Sequence, residues 1–309
     1  MKTILLFLTT GFWIAASFVA LGQGCSDSGF CTMGALRPDQ PYVQKVRIKL
    51  HSIELTQHLG HTKFGDWIHS TFIDANFSVG RKNFFQLRLP SYAIIEGNMP
   101  TVRGWGDTFF SFTRQLVVKD NFQLSATVGG KIYTSMTKSD NAMPLYQQTT
   151  LGSNDLMMGV SLISKKWMVG VGYQKPLNGT LNNFQPTNFE GSAFENIARN
   201  YTASVGLFRG DDIALRVERN FRLAQWNFFI GTLNLIRVTP DQTLDSEGKS
   251  TSVTGSTGLA SNLLVGGGYQ FNIHSGIRLL VASKLTERAQ NPDGLSRDFV
   301  AQLAYVVRF

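Results

Sequence analysis

Counting back in twos from Phe309, the chain meets Val307, Tyr305, Leu303, Ala301 and Phe299, all apolar, while the interleaved positions carry Arg308, Gln302 and Asp298. This is the period-two pattern of a β-strand. It runs to an aromatic last residue with no polar tail, whereas the final residues of a soluble domain are usually frayed and solvated. A strand with one side in lipid and the other facing a lumen accounts for both features. A buried edge strand of a soluble sheet is the competing reading.

The same alternation recurs along the chain, and this decides between the two. Trp67, Thr71, Ile73, Ala75, Phe77 and Val79 share one face against Ser70, Asp74, Asn76 and Ser78. Phe122, Leu124, Ala126 and Val128 alternate with Gln123, Ser125, Thr127 and Gly129, and similar runs follow at Leu156 to Leu162, Trp167 to Tyr173, Tyr201 to Leu207, Ile213 to Val217, Leu263 to Phe271 and Ile277 to Val281. A soluble sandwich of so many strands would carry many charges on its solvent faces, but only 16% of the residues are charged. Beyond the first two dozen positions there is no run of about twenty apolar residues, so any membrane crossing must be made by strands. Trp67, Trp105, Trp167, Tyr173, Trp226 and Tyr305 fall near strand ends, where aromatic girdles belong. The run through Leu303, Tyr305, Val307 and Phe309 resembles the carboxy-terminal insertion signal of bacterial outer-membrane β-barrels, which implies the barrel assembly machinery as a partner.

The amino-terminus agrees with export. Lys2, an apolar stretch and small residues at Ala20 and Gly22 read as a signal peptide over residues 1–22, cut near Gly22-Gln23. Cys25 and Cys31 are the only cysteines, and in an oxidising compartment they most simply close a small disulfide loop within residues 23–42. Residues 43–309 then form the barrel. The expected fold is all-β: a transmembrane antiparallel up-and-down β-barrel of about 12 strands, within a range of 12 to 14, preceded by a short plug or periplasmic segment. The pattern itself yields thirteen strands. Single-chain barrels have even numbers, so one segment is misplaced, with suspicion falling near Gly210 or on a strand hidden at Lys249 to Thr257. Short turns are expected at Lys165-Lys166, Gly210-Asp211, Leu223-Ala224 and Asn272 to Ser275, and longer loops at Pro176 to Asn196, Pro240 to Thr257 and Glu287 to Ser296.

The net charge of +8 raises the question of nucleic acid, but the cations are scattered and form no basic run with interleaved aromatics. In an exported barrel they line a lumen or meet anionic lipid headgroups, so outer-membrane lipid is the expected partner and nucleic acid is not. Lumen-facing candidates are Arg88, Lys131, Arg216, Glu218, Arg278 and Lys284, which either fill the lumen as ion pairs or mark a solute path. His58 and His61 form a His-x-x-His, but that spacing suits a helical face and the neighbourhood reads as a loop without further ligands, so no metal is expected. No Gly-x-Ser-x-Gly elbow occurs. Asp107 and Asp155 lie beside glycine turns and read as turn residues. No catalytic residue and no cofactor is expected.

Gly104-Trp105-Gly106-Asp107-Thr108, Leu151-Gly152-Ser153-Asn154-Asp155, Thr257-Gly258, Gly268-Tyr269-Gln270-Phe271 and Ala304-Tyr305-Val306-Val307-Arg308-Phe309 are together similar to the outer-membrane family of phenol meta-pathway transporters, relatives of the long-chain fatty acid transporter barrels. The resemblance spans Val102 to Phe309. It implies passive uptake of small hydrophobic molecules through a monomeric barrel, with Gln23 to Tyr42 as an amino-terminal plug. A structural or accessory barrel that docks to other outer-membrane proteins is the alternative.

Overall fold

The computed structural model describes residues 48–134, 142–245 and 247–309. The expected signal peptide, the Cys25 and Cys31 clasp and the plug lie outside the described residues. The strands are β1 (Ile48–His61), β2 (Trp67–Val79), β3 (Asn83–Arg88), β4 (Tyr92–Glu96), β5 (Val102–Trp105), β6 (Thr108–Val118), β7 (Phe122–Ile132), β8 (Asp155–Ser164), β9 (Trp167–Pro176), β10 (Asp212–Leu223), β11 (Trp226–Arg237), β12 (Gln242–Leu244), β13 (Ser250–Ser252), β14 (Gly258–Gln270), β15 (Ser275–Thr286) and β16 (Phe299–Arg308). Neighbours pair antiparallel, and β1 pairs with both β2 and β16, so the sheet closes on itself.

The wall has twelve strands because two of them are broken. The lower half of β2, Asp74 to Val79, pairs with β3, and its upper half, Trp67 to Thr71, pairs with β4. Thus β3 and β4 are one wall strand interrupted at Leu89-Pro90-Ser91, where Pro90 has no N–H to donate. Likewise β5 and β6 pair with β4 and β3 and form the next wall strand, interrupted at Gly106-Asp107. The two breaks lie side by side, and the Gly106 N–H donates to the Ser91 carbonyl at 2.6 Å. The hairpin of β12 and β13 stands outside the wall, so the strand suspected near Lys249 exists as part of that hairpin and adds nothing to the barrel.

The false thirteenth strand is Tyr201 to Leu207, which lies in the long connection of residues 177–211. Its buried residues are Tyr201, Ser204 and Leu207, a period of three rather than two. The Ser204 hydroxyl donates to Asn182 Oδ1 at 2.6 Å, and Gly206 has φ +53°, which breaks an extended run. With that segment out of the wall, Gly210-Asp211 is the end of a long loop and not a turn. Residues 80–82, 119–121, 165–166, 224–225 and 271–274 are then short turns at one end, and the described parts of the longer connections, including residues 142–154, 177–211, 247–257 and 287–298, gather at the other. His58 and His61 also depart from expectation: both lie in β1, where an odd spacing places them on opposite faces.

The outer surface is apolar, with Leu55, Val160, Val171, Ile230, Val265, Leu279 and Leu303 all exposed. Trp67, Tyr92 and Trp105 ring the loop end, and Trp167, Trp226, Phe271, Tyr305 and Phe309 ring the turn end. Such a band between two girdles is the surface of a lipid-embedded barrel. The two-residue hairpin between β10 and β11 turns through Ala224 at φ 50°. Side chains disfavour this region by about 1–2 kcal/mol. Ala224→Gly is expected to stabilise the barrel by about 1 kcal/mol, read as a later denaturant midpoint in lipid vesicles.

Candidate functional site: the barrel lumen and its loop-filled mouth

The alternation that turns apolar residues outward also sorts the inside, and the two halves of the inner wall differ. On β1, β3, β6, β7 and β8 the inward residues include Thr56, His58, Gln86, Ser111, Thr113, Ser125, Thr127 and Ser161. On β10, β11, β14, β15 and β16 they include Ala214, Phe229, Leu233, Leu235, Ala260, Leu264, Leu280, Ala282 and Val300, an apolar stripe. The lumen is therefore two-faced, although buried Arg216 and Glu218 of β10, Asn262 of β14 and Lys284 of β15 interrupt the apolar side. The inward side of the last strand contributes Val300, Ala304 and Val306 as well as Gln302, so β16 is apolar on both faces.

All six expected lumen residues lie on inward faces. Arg88 forms a two-pronged pair with Asp74, Nε to Oδ1 at 3.1 Å and Nη2 to Oδ2 at 2.9 Å, and its guanidinium lies 3.7 Å from the Phe72 ring centroid. Arg216 Nε donates to Glu218 Oε1 at 2.6 Å, two residues along one strand. Arg278 pairs with Glu54, and Lys284 Nζ lies 2.7 Å from Asp298 and 3.3 Å from Glu287. Lys131 Nζ sits 3.3 Å from both Asp107 and Asp155. Each cation thus has a carboxylate partner, on its own strand, on a nearby strand or in an adjoining connection.

Asp107 and Asp155 are consequently more than turn residues. Asp155 also pairs with Arg209 and accepts from Gln174 Nε2 at 2.5 Å, and Asp107 accepts from the Thr150 hydroxyl. Register alone carried a trace of this, because Lys131 is opposite Asp155 across β7 and β8. Arg209 had no such signal; it comes from the loop mistaken for a strand.

Above this layer a second network knits the loops together. Arg237 grips Asp212 with Nε and Nη2, each at 2.8 Å, reaches Asp293 at 2.9 Å and pairs with Asp241. Arg288 holds Asp293 through Nη2 at 3.0 Å and donates to the Ser256 carbonyl at 3.0 Å. Burial opposes ionisation of Asp293, but Arg288, Arg237 and Arg209 together hold its carboxyl well below the usual range. Burial pushes the Asp241 carboxyl up, against the pull of Arg237 and Arg288. Asp66 is a third hub, accepting from Thr62 Oγ1 at 3.0 Å, Gln147 Nε2 at 2.7 Å and the Tyr201 hydroxyl at 3.0 Å. Around it Met99, Val102, Met143, Tyr146, Phe184, Ala198 and Tyr201 form an apolar cluster built largely from loops, with Phe64 packed against two of its rings. The loop end is a packed lid.

Beneath the lid lies a small recess of about 60 Å³. Phe72, Arg88, Asp107 and Phe109 form its wall at the two strand breaks, with Ser70 and Ser91 beside them, and Leu145, Gln148, Thr150, Leu151, Leu295 and Arg297 descend from the loops as its roof. It offers apolar rings and aliphatic groups with hydroxyls and an ion pair at the margins, the mixture that holds a small, partly apolar molecule. Among the described residues no group of His, Cys, Asp and Glu side chains is arranged to hold a metal.

The chain matches no protein-family model and no curated protein. Among solved structures it is similar to the COG4313 outer membrane channel from Pseudomonas putida F1, with a TM-score of 0.57 at 10% identity over 88% of this chain and 99% of that one. It is also similar to the NanC porin, with a TM-score of 0.48 at 8% identity over 84% of this chain and 99% of that one. A CymD monoaromatic hydrocarbon channel gives a TM-score of 0.44 at 10% identity over 95% and 98%. At these identities the likeness is one of fold, and the fold is that of an outer-membrane β-barrel.

Proposed function

We propose that the chain is a passive outer-membrane channel for small solutes with a substantial apolar part, and that it is not an enzyme. Its short turns face the periplasm and its loop end faces the exterior, the arrangement of bacterial barrels. The observation that carries the reading is the two-faced lumen: a water-filled pore needs no apolar stripe over five strands, whereas a solute that sheds water needs a dry side to slide along. The outer-membrane channel of the same fold supports the reading as a channel. The recess under the lid is where such a solute pauses, with the lid loops parting transiently to admit it.

Flux into liposomes holding the purified protein tests this. Filling the recess with Ser70→Trp is expected to lower entry of a small aromatic or aliphatic solute at least tenfold while the folded barrel still forms. Equal flux through wild type and variant would remove the recess from the path, and no flux through either would favour the second reading. That reading, an accessory barrel docked to other outer-membrane proteins, draws its support from the packed mouth.

A further inference from the structure

The charge on this barrel is unevenly placed. The turn between β2 and β3 carries exposed Arg81 and Lys82, that between β6 and β7 carries Lys119, and that between β8 and β9 is Lys165-Lys166. On the lipid-facing side Arg114 of β6 lies opposite Asn83 next to the first turn, and Arg219 of β10 lies opposite Trp167 next to the third. These turns and wall positions are consecutive in the order β2, β3, β6, β7, β8, β9, β10. Among the described residues of the five short turns, Asp120 is the one carboxylate side chain. At the loop end exposed acids and bases are mixed: Glu96, Glu190 and Glu247 stand with Arg103, Lys175, Arg199 and Lys249.

Two contacts fix the depth of these cations. The Arg219 guanidinium lies 4.9 Å from the Trp167 ring centroid, and Lys119 Nζ lies 5.6 Å from that of Phe122. Trp167 belongs to the turn-end girdle, which marks the boundary between acyl chains and headgroups. Cations seated over rings at that boundary face the phosphates of the adjoining leaflet rather than a soluble partner below it.

We propose that this basic arc binds the headgroups of anionic phospholipids in the periplasmic leaflet, fixing the depth and tilt of the barrel. The inference rests on the outer-membrane reading but not on solute flux. Each lysine or arginine near an anionic surface strengthens binding by about fivefold, and crowding of seven cations along one arc reduces the product.

The test is native mass spectrometry of the full chain released from nanodiscs of equal phosphatidylglycerol and phosphatidylcholine. Wild type is expected to retain phosphatidylglycerol over phosphatidylcholine by at least tenfold, less at high salt. Lys165→Gln with Lys166→Gln and Arg219→Gln should cut the preference severalfold, and adding Arg81→Gln, Lys82→Gln and Arg114→Gln should abolish it. Arg103→Gln with Lys175→Gln, at the loop end, should change nothing. If the six-fold variant does not fold, the two three-fold variants are read separately. No preference in wild type, an undiminished preference in the folded variants, or poly-glutamate displacing the retained phosphatidylglycerol would each overturn the proposal. Selective retention with no solute flux would leave it standing and remove the channel reading instead.

Discussion

Arg237→Met is expected to open the mouth of the barrel: external protease should cut within residues 238–257, and conductance in planar bilayers should rise severalfold over a nearly closed wild type. The cause is arithmetic of charge. One guanidinium serves Asp212 on the wall strand beside it, Asp241 in the connection that follows its strand and Asp293 in the loop of residues 287–298. Removing it leaves three buried carboxylates with Arg288 as the nearest remaining cation for two of them. Breaking a buried pair from one side typically costs about 3–5 kcal/mol. The lid can relieve that by swinging its carboxylates into water, while the wall, held by continuous strand pairing, stays folded. Arg237→Lys keeps the charge but loses the fork that grips Asp212 through two nitrogens, so it should open the mouth only partly. Wild-type protection and conductance in Arg237→Met would show that the apolar cluster around Tyr201 holds the lid alone.

The wall was legible in the sequence because its physics is local. A strand between lipid and lumen must alternate, so residues as far apart as Trp67 and Phe309 announced their faces without knowledge of their neighbours. Arg88, Lys131, Arg216, Glu218, Arg278 and Lys284 followed from the same phase. The lid was not legible, because its packing joins distant segments that obey no period. Tyr201, Ala203, Val205 and Leu207 alternate as well as any true strand, yet Tyr201 is spent on Asp66, 135 positions away. Asp107 and Asp155 were seen as turn residues because nothing within either segment shows that Lys131 stands between them. The broken strands were hidden for another reason: Pro90 and Gly106-Asp107 interrupt the alternation within a wall strand, and only the constant pairing of β3 and β4 with β6 and β5 shows the wall continuing through them.

The two faces of the wall make a final prediction whose sign depends on which way a residue points. Val265 is 45% exposed midway along β14, flanked by Ile230 across one ladder and Val281 across the other. Val265→Arg puts an ion among acyl chains and is expected to cost about 2–4 kcal/mol, seen as loss of the heat-modifiable folded band or an earlier denaturant midpoint in vesicles. Ser161, on the inward face of β8 opposite Ser125 and Gly170, offers the same change a different solvent. Ser161→Arg should cost far less than the outward substitution, because small neighbours leave room and the polar half of the lumen can solvate the guanidinium, but it should narrow the path and lower solute flux. Equal penalties at the two positions would mean the outer face is not in lipid, since a soluble barrel would hydrate Arg at position 265 without cost. The neighbour Leu264, one residue along and inside the apolar stripe, sharpens the distinction: Leu264→Arg should be poorly tolerated although it faces the lumen, because the stripe on β10 to β16 is the dry side on which the proposed solute travels.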